Sequence, residues 1–261
     1  MPTFRQLHFE TEPLVLPNAW DLGSALAFAD AGYAAVGTTS FGVAASAGSP
    51  DGAGSSKAAT LALAAGMCQL PVHVTVDVED GYSDDPSEVA KLVATLAATG
   101  VAGVNLEDSA DGRLVSAASV SRKIAAIKSH SPEMFVNARV DNFWFGEQAT
   151  VAEVVERARS YADAGADGIF VPGVSAAEDI QALAAGIELP LNVLAHPTLT
   201  VPELGRLGVR RVSSGSLPYR AAVDAAVESV NALRAGGQTP AATPYWQMQK
   251  RLSAFRESSA G

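Results

Sequence analysis

The stretch VTVDVEDGYSDDP, residues 74–86, alternates apolar and polar side chains and then ends in a series of acids. The valines at 74, 76 and 78 fall on one face of an extended chain, whereas Asp77 and Glu79 fall on the other. A period of two is typical of a β-strand with one buried face. The stretch therefore predicts a strand that packs through its valines and carries two carboxylates at its carboxyl end.

The same arrangement, a short apolar run followed by a helical pattern, recurs along the whole chain. The eight runs are 14–20, 34–40, 72–80, 102–109, 134–143, 168–173, 189–197 and 210–216. Eight strand–helix units in roughly 250 residues match a (β/α)8 TIM barrel, so we predict this α/β fold. A doubly wound open sheet is the alternative, and the lack of G-x-G-x-x-G after the first run disfavours it.

The chain ends in a segment that lies outside these eight units. We assign residues 1–237 to the barrel domain and residues 238–261 to a linker and an additional C-terminal helix. Tyr245, Met248 and Leu252 share one face of this helix with Phe255. This apolar face needs a partner surface, either on its own barrel or on a neighbouring subunit.

Composition excludes several classes of function. The chain has 261 residues, 48% of them hydrophobic, and a net charge of −10 without a basic patch, so we expect neither a nucleic-acid nor a membrane partner. Its single cysteine, Cys68, excludes an intramolecular disulfide and a multi-cysteine zinc site. The N-terminus has no apolar signal region, and the longest apolar run is too short to span a bilayer. We expect a cytoplasmic protein.

Three neighbouring strands of the predicted barrel end in charged residues that face inward. Asp77 and Glu79 end the third strand, Glu107 the fourth and Arg139 the fifth, and barrel active sites lie at this mouth. Crowded carboxylates must be protonated, paired or bound to a cation. Oxygen ligands without a histidine or cysteine cluster favour Mg²⁺ or Mn²⁺. The alternative is that these acids cap helices or lie in solvated loops.

The sequence around these residues resembles the isocitrate lyase/phosphoenolpyruvate mutase superfamily, in its phosphoenolpyruvate phosphonomutase-like branch. The similarity runs in order through the first two-thirds of the chain. It is carried by TTSFGVAASAGSPD (38–51), VDVEDGYSDDP (76–86), GVNLEDS (103–109), NARVDNF (137–143) and YADAGADGIFVPG (161–173). The resemblance implies a (β/α)8 catalytic barrel, a bound Mg²⁺ and 2-oxo acid or enolpyruvate chemistry.

The resemblance also implies roles for individual residues. Asp77, Glu79 and Glu107 become ligands of the metal, directly or through water, and Asp51 falls where the family has an aspartate near the metal. Arg139 becomes a clamp for the substrate carboxylate, which suits its planar guanidinium, and Asn137 joins it in the substrate-binding set. The carboxylate would also be bound by the turn of Thr39, Ser40, Phe41 and Gly42.

Three departures from the family pattern bear on the chemistry. Glu79 replaces the more usual second aspartate, and Phe41 stands where glycine is common. Family lyases carry a flexible K-x-C-G-H loop after the E-D element, whereas EDSADGRLVSAASVSRKI (107–124) passes almost at once to the next helix. His196, at the end of the seventh strand, is a candidate acid/base, and a structural histidine is an equal alternative.

These observations predict an Mg²⁺-dependent lyase that cleaves a carbon–carbon bond of a small 2-oxo or 2-hydroxy acid through a metal-stabilised enolate. Decarboxylation needs the fewest acid/base groups, so it fits the missing loop. Phosphorus–carbon chemistry, of the mutase or phosphonopyruvate hydrolase type, is one alternative. A non-catalytic barrel that binds metal and carboxylate is another. The resemblance further implies a homo-oligomer, a dimer or tetramer, in which subunits exchange a C-terminal helix.

Overall fold

The computed structural model describes residues 2–52, 54 and 56–258, and in this part of the chain parallel strands form a nearly closed barrel. Two short antiparallel strands, β6 and β7, form a separate hairpin. The strands are β1 (Leu14–Leu16), β2 (Asn18–Ala19), β3 (Ala35–Thr38), β4 (His73–Asp77), β5 (Gly103–Leu106), β6 (Ser109–Ala110), β7 (Arg113–Leu114), β8 (Phe135–Arg139), β9 (Gly168–Phe170), β10 (Leu191–Leu194) and β11 (Arg211–Ser213).

Hydrogen bonds join the barrel strands in the order β1-β11-β10-β9-β8-β5-β4-β3-β2. β1 and β2 are two parts of the first predicted strand: β1 pairs with β11 and β2 pairs with β3. Pro17 separates them, because proline has no N–H to donate to a strand ladder. The first strand therefore closes the barrel between the last strand and the second. The (β/α)8 prediction is confirmed.

Helices follow the barrel strands on the outside, and a short 3₁₀ helix (Gln6–Phe9) precedes β1. Among the described residues, no helix is long and apolar enough to cross a bilayer. The helices are α1 (Leu22–Asp30), α2 (Ser40–Ser46), α3 (Lys57–Met67), α4 (Pro86–Ala98), α5 (Ala117–His130), α6 (Asn142–Phe145), α7 (Val151–Asp163), α8 (Ala177–Gly186), α9 (Val201–Arg206), α10 (Leu217–Arg234) and α11 (Tyr245–Ser258).

The main core lies between the barrel wall and the helices. The valines at 74, 76 and 78 are buried there together with Val89, Val93 and Leu96 of α4, as the alternating pattern predicts. Complete burial of such a side chain contributes about 1.5–3 kcal/mol. Asp85 caps α4 by accepting a hydrogen bond from the backbone N–H of Ser87 at 2.9 Å. The valine face and this cap together fix where β4 ends and α4 begins.

Successive inward residues of β8 mark three levels inside the barrel. Phe135 lies in an apolar cluster at the floor. Asn137, at the middle level, donates from Nδ2 to Oδ1 of Asn105 at 2.9 Å and to Oδ1 of Asn192 at 3.0 Å. Arg139 lies at the mouth. The barrel therefore has an apolar floor, a hydrogen-bonded middle layer and a charged upper end.

The two C-terminal helices differ from the others in how little they bury. No residue of α10 is buried in the described chain, although α10 follows the last barrel strand. The additional helix, α11, is present as predicted. It contacts its own barrel through an ion pair between Arg251 and Asp30 (2.5 Å) and through the partly buried Phe255.

Candidate active site

A cavity of about 1130 Å³ opens at the carboxyl ends of the barrel strands. Residues from the ends of most of these strands, and from the loops that follow them, form its wall. It contains the predicted charged residues Asp77, Glu79, Glu107 and Arg139. The parallel barrel brings them together because all its strands end at the same rim.

Asp77 and Glu79 are held by hydroxyl groups from two different segments. Asp77 Oδ2 accepts a hydrogen bond from Ser40 Oγ at 3.2 Å, and Glu79 Oε1 accepts one from Ser56 Oγ at 2.5 Å. Glu79 adopts a left-handed backbone with φ of 50°, which is uncommon for a residue with a side chain. Its backbone is fixed there because its carbonyl accepts from the N–H of Glu107 at 2.8 Å.

Arg139 occupies the centre of the acidic residues. It forms an ion pair with Glu107 through Nη1, and its Nε and Nη2 bind Asp141 Oδ1 at 2.9 and 2.8 Å. Its guanidinium also lies 5.7 Å from the centroid of the Phe170 ring. Burial alone would lower the pKa of Arg139, but the surrounding carboxylates raise it above its ordinary value. The side chain is therefore a permanent cation.

The carboxylates themselves are crowded and partly desolvated. Burial raises the pKa of Asp77, Glu79 and Glu107, that of Glu107 well above its ordinary value. Arg139 opposes this effect at Asp77 and Glu107, whereas neighbouring carboxylates, Asp51 among them, add to it. A positive charge among these groups would relieve both the repulsion and the unfavourable burial.

The residues present fit a divalent cation by the chemistry of their donors. Asp77, Glu79 and Glu107 offer only oxygen atoms, as Mg²⁺ and Mn²⁺ prefer. The described residues, however, contain no group of three or more histidine, cysteine, aspartate or glutamate side chains already arranged to hold a metal ion. The predicted ligands lie on one rim but are directed at Ser40, Ser56 and Arg139. The metal assignment stays a prediction.

Asp108 is buried behind this rim and was not singled out by the sequence. Its Oδ1 accepts from the backbone N–H of Asp141, and its Oδ2 accepts from Arg157 Nη1 and Tyr161 Oη, each at 2.8 Å. Burial, with the charge of Asp141, raises the pKa of Asp108 to about 6. Because Asp141 holds Arg139, this network sets the position of the guanidinium.

The predicted carboxylate-binding turn is only partly at the cavity. Thr39, Ser40 and Phe41 line it. Gly42 is buried behind them, and a Cβ there would lie 2.8 Å from Cβ of Trp20. Its backbone N–H donates to Thr39 Oγ1 at 3.3 Å. Gly42 is therefore needed for packing and for the start of α2, and the structure does not place it on the cavity wall.

Three other predicted residues have different positions. Asp51 lies on the cavity wall, in the loop before α3. Asn137 lies one level below the wall, where Asn105 and Asn192 accept its hydrogen bonds, so the structure does not support direct contact with a substrate. His196 is not among the residues that line the cavity.

Both ring nitrogens of His196 are engaged in loop contacts. Nε2 bonds the carbonyl of Ser175 at 2.9 Å, and Nδ1 accepts from the backbone N–H of Leu199 at 2.9 Å. Since a carbonyl only accepts, Nε2 carries the proton. The histidine thus joins two loops, and this geometry favours its structural alternative over an acid/base role.

A hairpin stands where the family's cysteine loop would be. β6 and β7 are joined through Asp111 and Gly112, whose φ angles are 51° and 75°. Two consecutive positive φ angles are typical of a tight type I′ turn, for which Asp-Gly is a favoured pair. Ser109 and Ala110 line the cavity with this turn. Among the described lining residues there is neither a cysteine nor a histidine.

The comparisons with known proteins give the family of the chain. The sequence profile of the phosphoenolpyruvate phosphomutase family matches residues 4–234. An uncharacterized protein of Mycobacterium tuberculosis, Rv1998c, is 47% identical over 250 residues, which cover 96% of each chain. Oxaloacetate decarboxylase from a Bradyrhizobium species is 32% identical over 180 residues, covering 64% of this chain and 60% of its own length.

Several proteins of known structure share the fold of this chain. A protein of known structure from Burkholderia cenocepacia J2315 is 38% identical, with a TM-score of 0.81 over 87% of this chain and 97% of its own. Oxaloacetate acetylhydrolase is 25% identical, with a TM-score of 0.87 over 99% and 97% of the two chains. Phosphonopyruvate hydrolase, solved with oxalate and Mg²⁺, shares the fold at 24% identity and a TM-score of 0.86, over 98% and 95%.

Proposed function

Because the chain belongs to the phosphoenolpyruvate phosphomutase family, we propose that it cleaves a carbon–carbon bond of a small 2-oxo acid, with decarboxylation of oxaloacetate as its reaction. The observation that carries this proposal is the composition of the cavity. It combines the carboxylates of Asp77, Glu79 and Glu107 with a fixed arginine, Arg139, and its described lining offers no cysteine or histidine for proton transfer. Loss of CO₂ from a 3-carboxyl group leaves an enolate without any prior proton abstraction, so few acid/base groups are needed.

Asp77, Glu79 and Glu107 would hold Mg²⁺ or Mn²⁺, directly or through water. When bound, such a cation supplies Lewis acidity that stabilises negative charge on a substrate oxygen. Asp51 is close enough to raise the pKa of Asp77 through its charge, so it belongs to the same electrostatic group.

The chain's own residues orient the substrate. Arg139 presents a planar guanidinium whose position is fixed by Glu107 and Asp141, and it pairs with the substrate carboxylate. The Thr39 hydroxyl accepts from Gly42 N–H, which leaves its own proton free to donate. Phe41 and Phe170 provide apolar wall that limits water near the reacting atoms.

Phosphorus–carbon chemistry is the second candidate, because the matching family carries the name of a phosphomutase. The two reactions are distinguished by their products. Purified protein with Mg²⁺ is incubated separately with oxaloacetate, phosphonopyruvate, phosphoenolpyruvate and isocitrate, and products are identified by mass spectrometry. We expect pyruvate and CO₂ from oxaloacetate well above the protein-free rate, and no turnover of isocitrate.

Asp77→Ala tests the metal site in the same assay. We expect a loss of more than about 100-fold in kcat/KM, since metal stabilisation of the developing charge is worth several kcal/mol. The matched control is Asp163→Ala, which removes an exposed acid at the end of α7, outside the cavity lining, and should leave the rate unchanged. Transfer of a phosphorus group would favour the second candidate, and Mg²⁺-dependent ligand binding without turnover of any substrate would favour a non-catalytic barrel.

A further inference from the structure

Asn105 lies at the bottom of the cavity, beside the proposed metal ligands. It is 4% exposed and belongs to the cavity wall. Its backbone is in register with Asp77 of β4 on one side and with Asn137 of β8 on the other. Nothing in the proposed function so far gives this side chain a role.

The orientation of the Asn105 amide is fixed from below. Its Oδ1 accepts two hydrogen bonds, from Asn137 Nδ2 at 2.9 Å and from Arg211 Nη2 at 3.2 Å. Asn137 and Arg211 do not line the cavity. With the oxygen held by two donors on the inner side, the amide nitrogen must point away from them.

The amide nitrogen of Asn105 has no protein acceptor among the described residues, since every hydrogen bond of this side chain is made by Oδ1. The fully buried side-chain atoms without a partner in that part of the chain include Arg211 Nη1 but not Asn105 Nδ2. A side chain that is buried as a whole, with an unpaired nitrogen that is not fully buried, exposes that nitrogen to the cavity.

Arg211 prevents the amide from turning over. It is completely buried, its Nε donates to Ser213 Oγ at 3.1 Å, and no carboxylate of the described residues forms an ion pair with it. A flipped Asn105 would set its NH₂ group against the guanidinium and leave Nη2 of the buried Arg211 without its acceptor, which is strongly unfavourable. The cation also polarises the amide and makes its N–H a better donor.

We propose that Asn105 is a substrate-contacting residue that donates a hydrogen bond from Nδ2 to a carboxylate or enolate oxygen of the 2-oxo acid, and that Arg211 is the positioning residue that orients it. This inference rests on the proposed function for the identity of the ligand class. In this role Asn105 places an uncharged hydrogen-bond donor at the bottom of the cavity, where negative charge develops on the substrate. Such a donor stabilises an oxyanion without itself transferring a proton.

Two substitutions of Asn105 distinguish the loss of the Nδ2 hydrogen-bond donor from the effect of an added charge. Asn105→Asp keeps the oxygen that Asn137 and Arg211 bind and replaces only the donor, although it adds a charge. Asn105→Ala removes the donor without adding charge. The probe is oxalate, a planar mimic of the pyruvate enolate, titrated by calorimetry into full-length protein with Mg²⁺. Mn²⁺ binding without oxalate is measured by electron paramagnetic resonance.

We expect both variants to bind oxalate about 10- to 100-fold more weakly, the usual effect of removing a hydrogen bond to a charged group. Mn²⁺ affinity without oxalate should change less than threefold in Asn105→Ala. Unchanged oxalate affinity in Asn105→Ala would overturn the proposal. If only Asn105→Asp bound oxalate more weakly, the loss would report repulsion between the new carboxylate and oxalate. Thermal unfolding of each variant establishes that it is folded at the titration temperature.

A double-mutant cycle of Arg211 and Asn105 tests whether Arg211 acts through the Asn105 amide. Arg211→Met should weaken oxalate binding, and adding Asn105→Ala should weaken it no further, since both act through one amide. Fully additive losses would show that Arg211 does not act through Asn105.

The oxalate titration also distinguishes failure of the proposed reaction from failure of the proposed role of Asn105. A wild-type protein that binds oxalate but does not decarboxylate oxaloacetate contradicts the reaction alone, whereas turnover and oxalate binding unaffected by Asn105→Ala contradict the inference alone.

Discussion

Arg139 contacts two carboxylates at once, and this double contact determines what a substitution would do. Glu107 and Asp141 hold separate edges of the guanidinium, which is planar and offers several fixed donors. A lysine ammonium cannot serve both acids and a substrate carboxylate in the same way. Replacing the arginine therefore affects the position of the charge as well as its chemistry.

We expect Arg139→Lys to lower kcat/KM for oxaloacetate by an amount equivalent to about 2–5 kcal/mol, the usual effect of disrupting a buried charge-assisted pair. Steady-state kinetics measure it. Arg159→Lys is the matched control, because Arg159 lies exposed on α7 and, among the residues that the structure describes, forms an ion pair only with Glu156, at 2.8 Å. An unchanged kcat/KM in Arg139→Lys would remove this residue from the substrate site.

His8 makes the stability of the barrel floor dependent on pH. Its Nδ1 donates to the Phe4 carbonyl at 2.9 Å, its ring stacks on Phe135 with centroids 4.3 Å apart, and its buried Nε2 has no partner among the described residues. Burial, with the charges of Arg211 and Arg5, lowers the pKa of His8 to about 3. The folded state therefore holds this histidine neutral.

Because the pKa is lower in the folded state, His8 contributes stability above pH 6.5, its unfolded value, and loses it as the pH falls toward about 3. The contribution changes by about 1.4 kcal/mol per pH unit within that window. We expect urea unfolding of His8→Leu to show a correspondingly weaker loss of stability with acid. Wild-type and variant curves that run parallel between neutral and acidic pH would contradict this. The exposed His130→Leu is the control that should follow the wild type.

Alternation along a strand predicted which residues face inward, but it could not predict their depth. Asp77, Glu107 and Arg139 were assigned to the mouth from alternation, and they line the cavity. Asn137 faces inward as well, yet it lies two residues earlier in its strand and so one level lower. Asp108 was overlooked because alternation directs it outward, where buried side chains are expected to be apolar.

At the scale of elements, the strand–helix units could be predicted because each combines an apolar run with a helical period. The hairpin of β6 and β7 could not, because each strand has only two residues, too few to show a period. The Asp-Gly pair at 111 and 112 was its one local signal. This short hairpin stands where the resemblance predicts a cysteine-containing loop, and its titratable side chains are those of Asp111 and Arg113.

The 3₁₀ helix at Gln6–Phe9 was not predicted for a similar reason. Four residues of mixed polarity carry no detectable pattern. Its place is set by tertiary packing, since Leu7 lies with Phe4 and Phe135 in the cluster at the floor. An element of this kind follows from the shape of the barrel end rather than from its own sequence.

For the whole molecule, α10 leaves an apolar surface that the described chain does not cover. Val223, Val227, Val230 and Leu233 follow a helical spacing along one side of α10, and Val227 and Val230 are 57% and 65% exposed. Exposed apolar stripes of this length usually mark an interface. The predicted exchange of C-terminal segments between subunits therefore extends, in our interpretation, to α10 as well as to α11.

We expect the full-length chain to form a homo-oligomer in which α10 packs on a neighbouring subunit. Val227→Asp should lower the oligomeric state, because a charge in the middle of the apolar stripe opposes its burial. Truncation after Gly237 should lower it as well, since it removes α11. Ala225→Asp is the matched control, because it places the same charge on the opposite side of α10. Sedimentation velocity distinguishes these outcomes. If Val227→Asp, the truncated chain and the full-length protein all sediment alike, α10 and α11 do not form the interface, and the exposed valines need another partner.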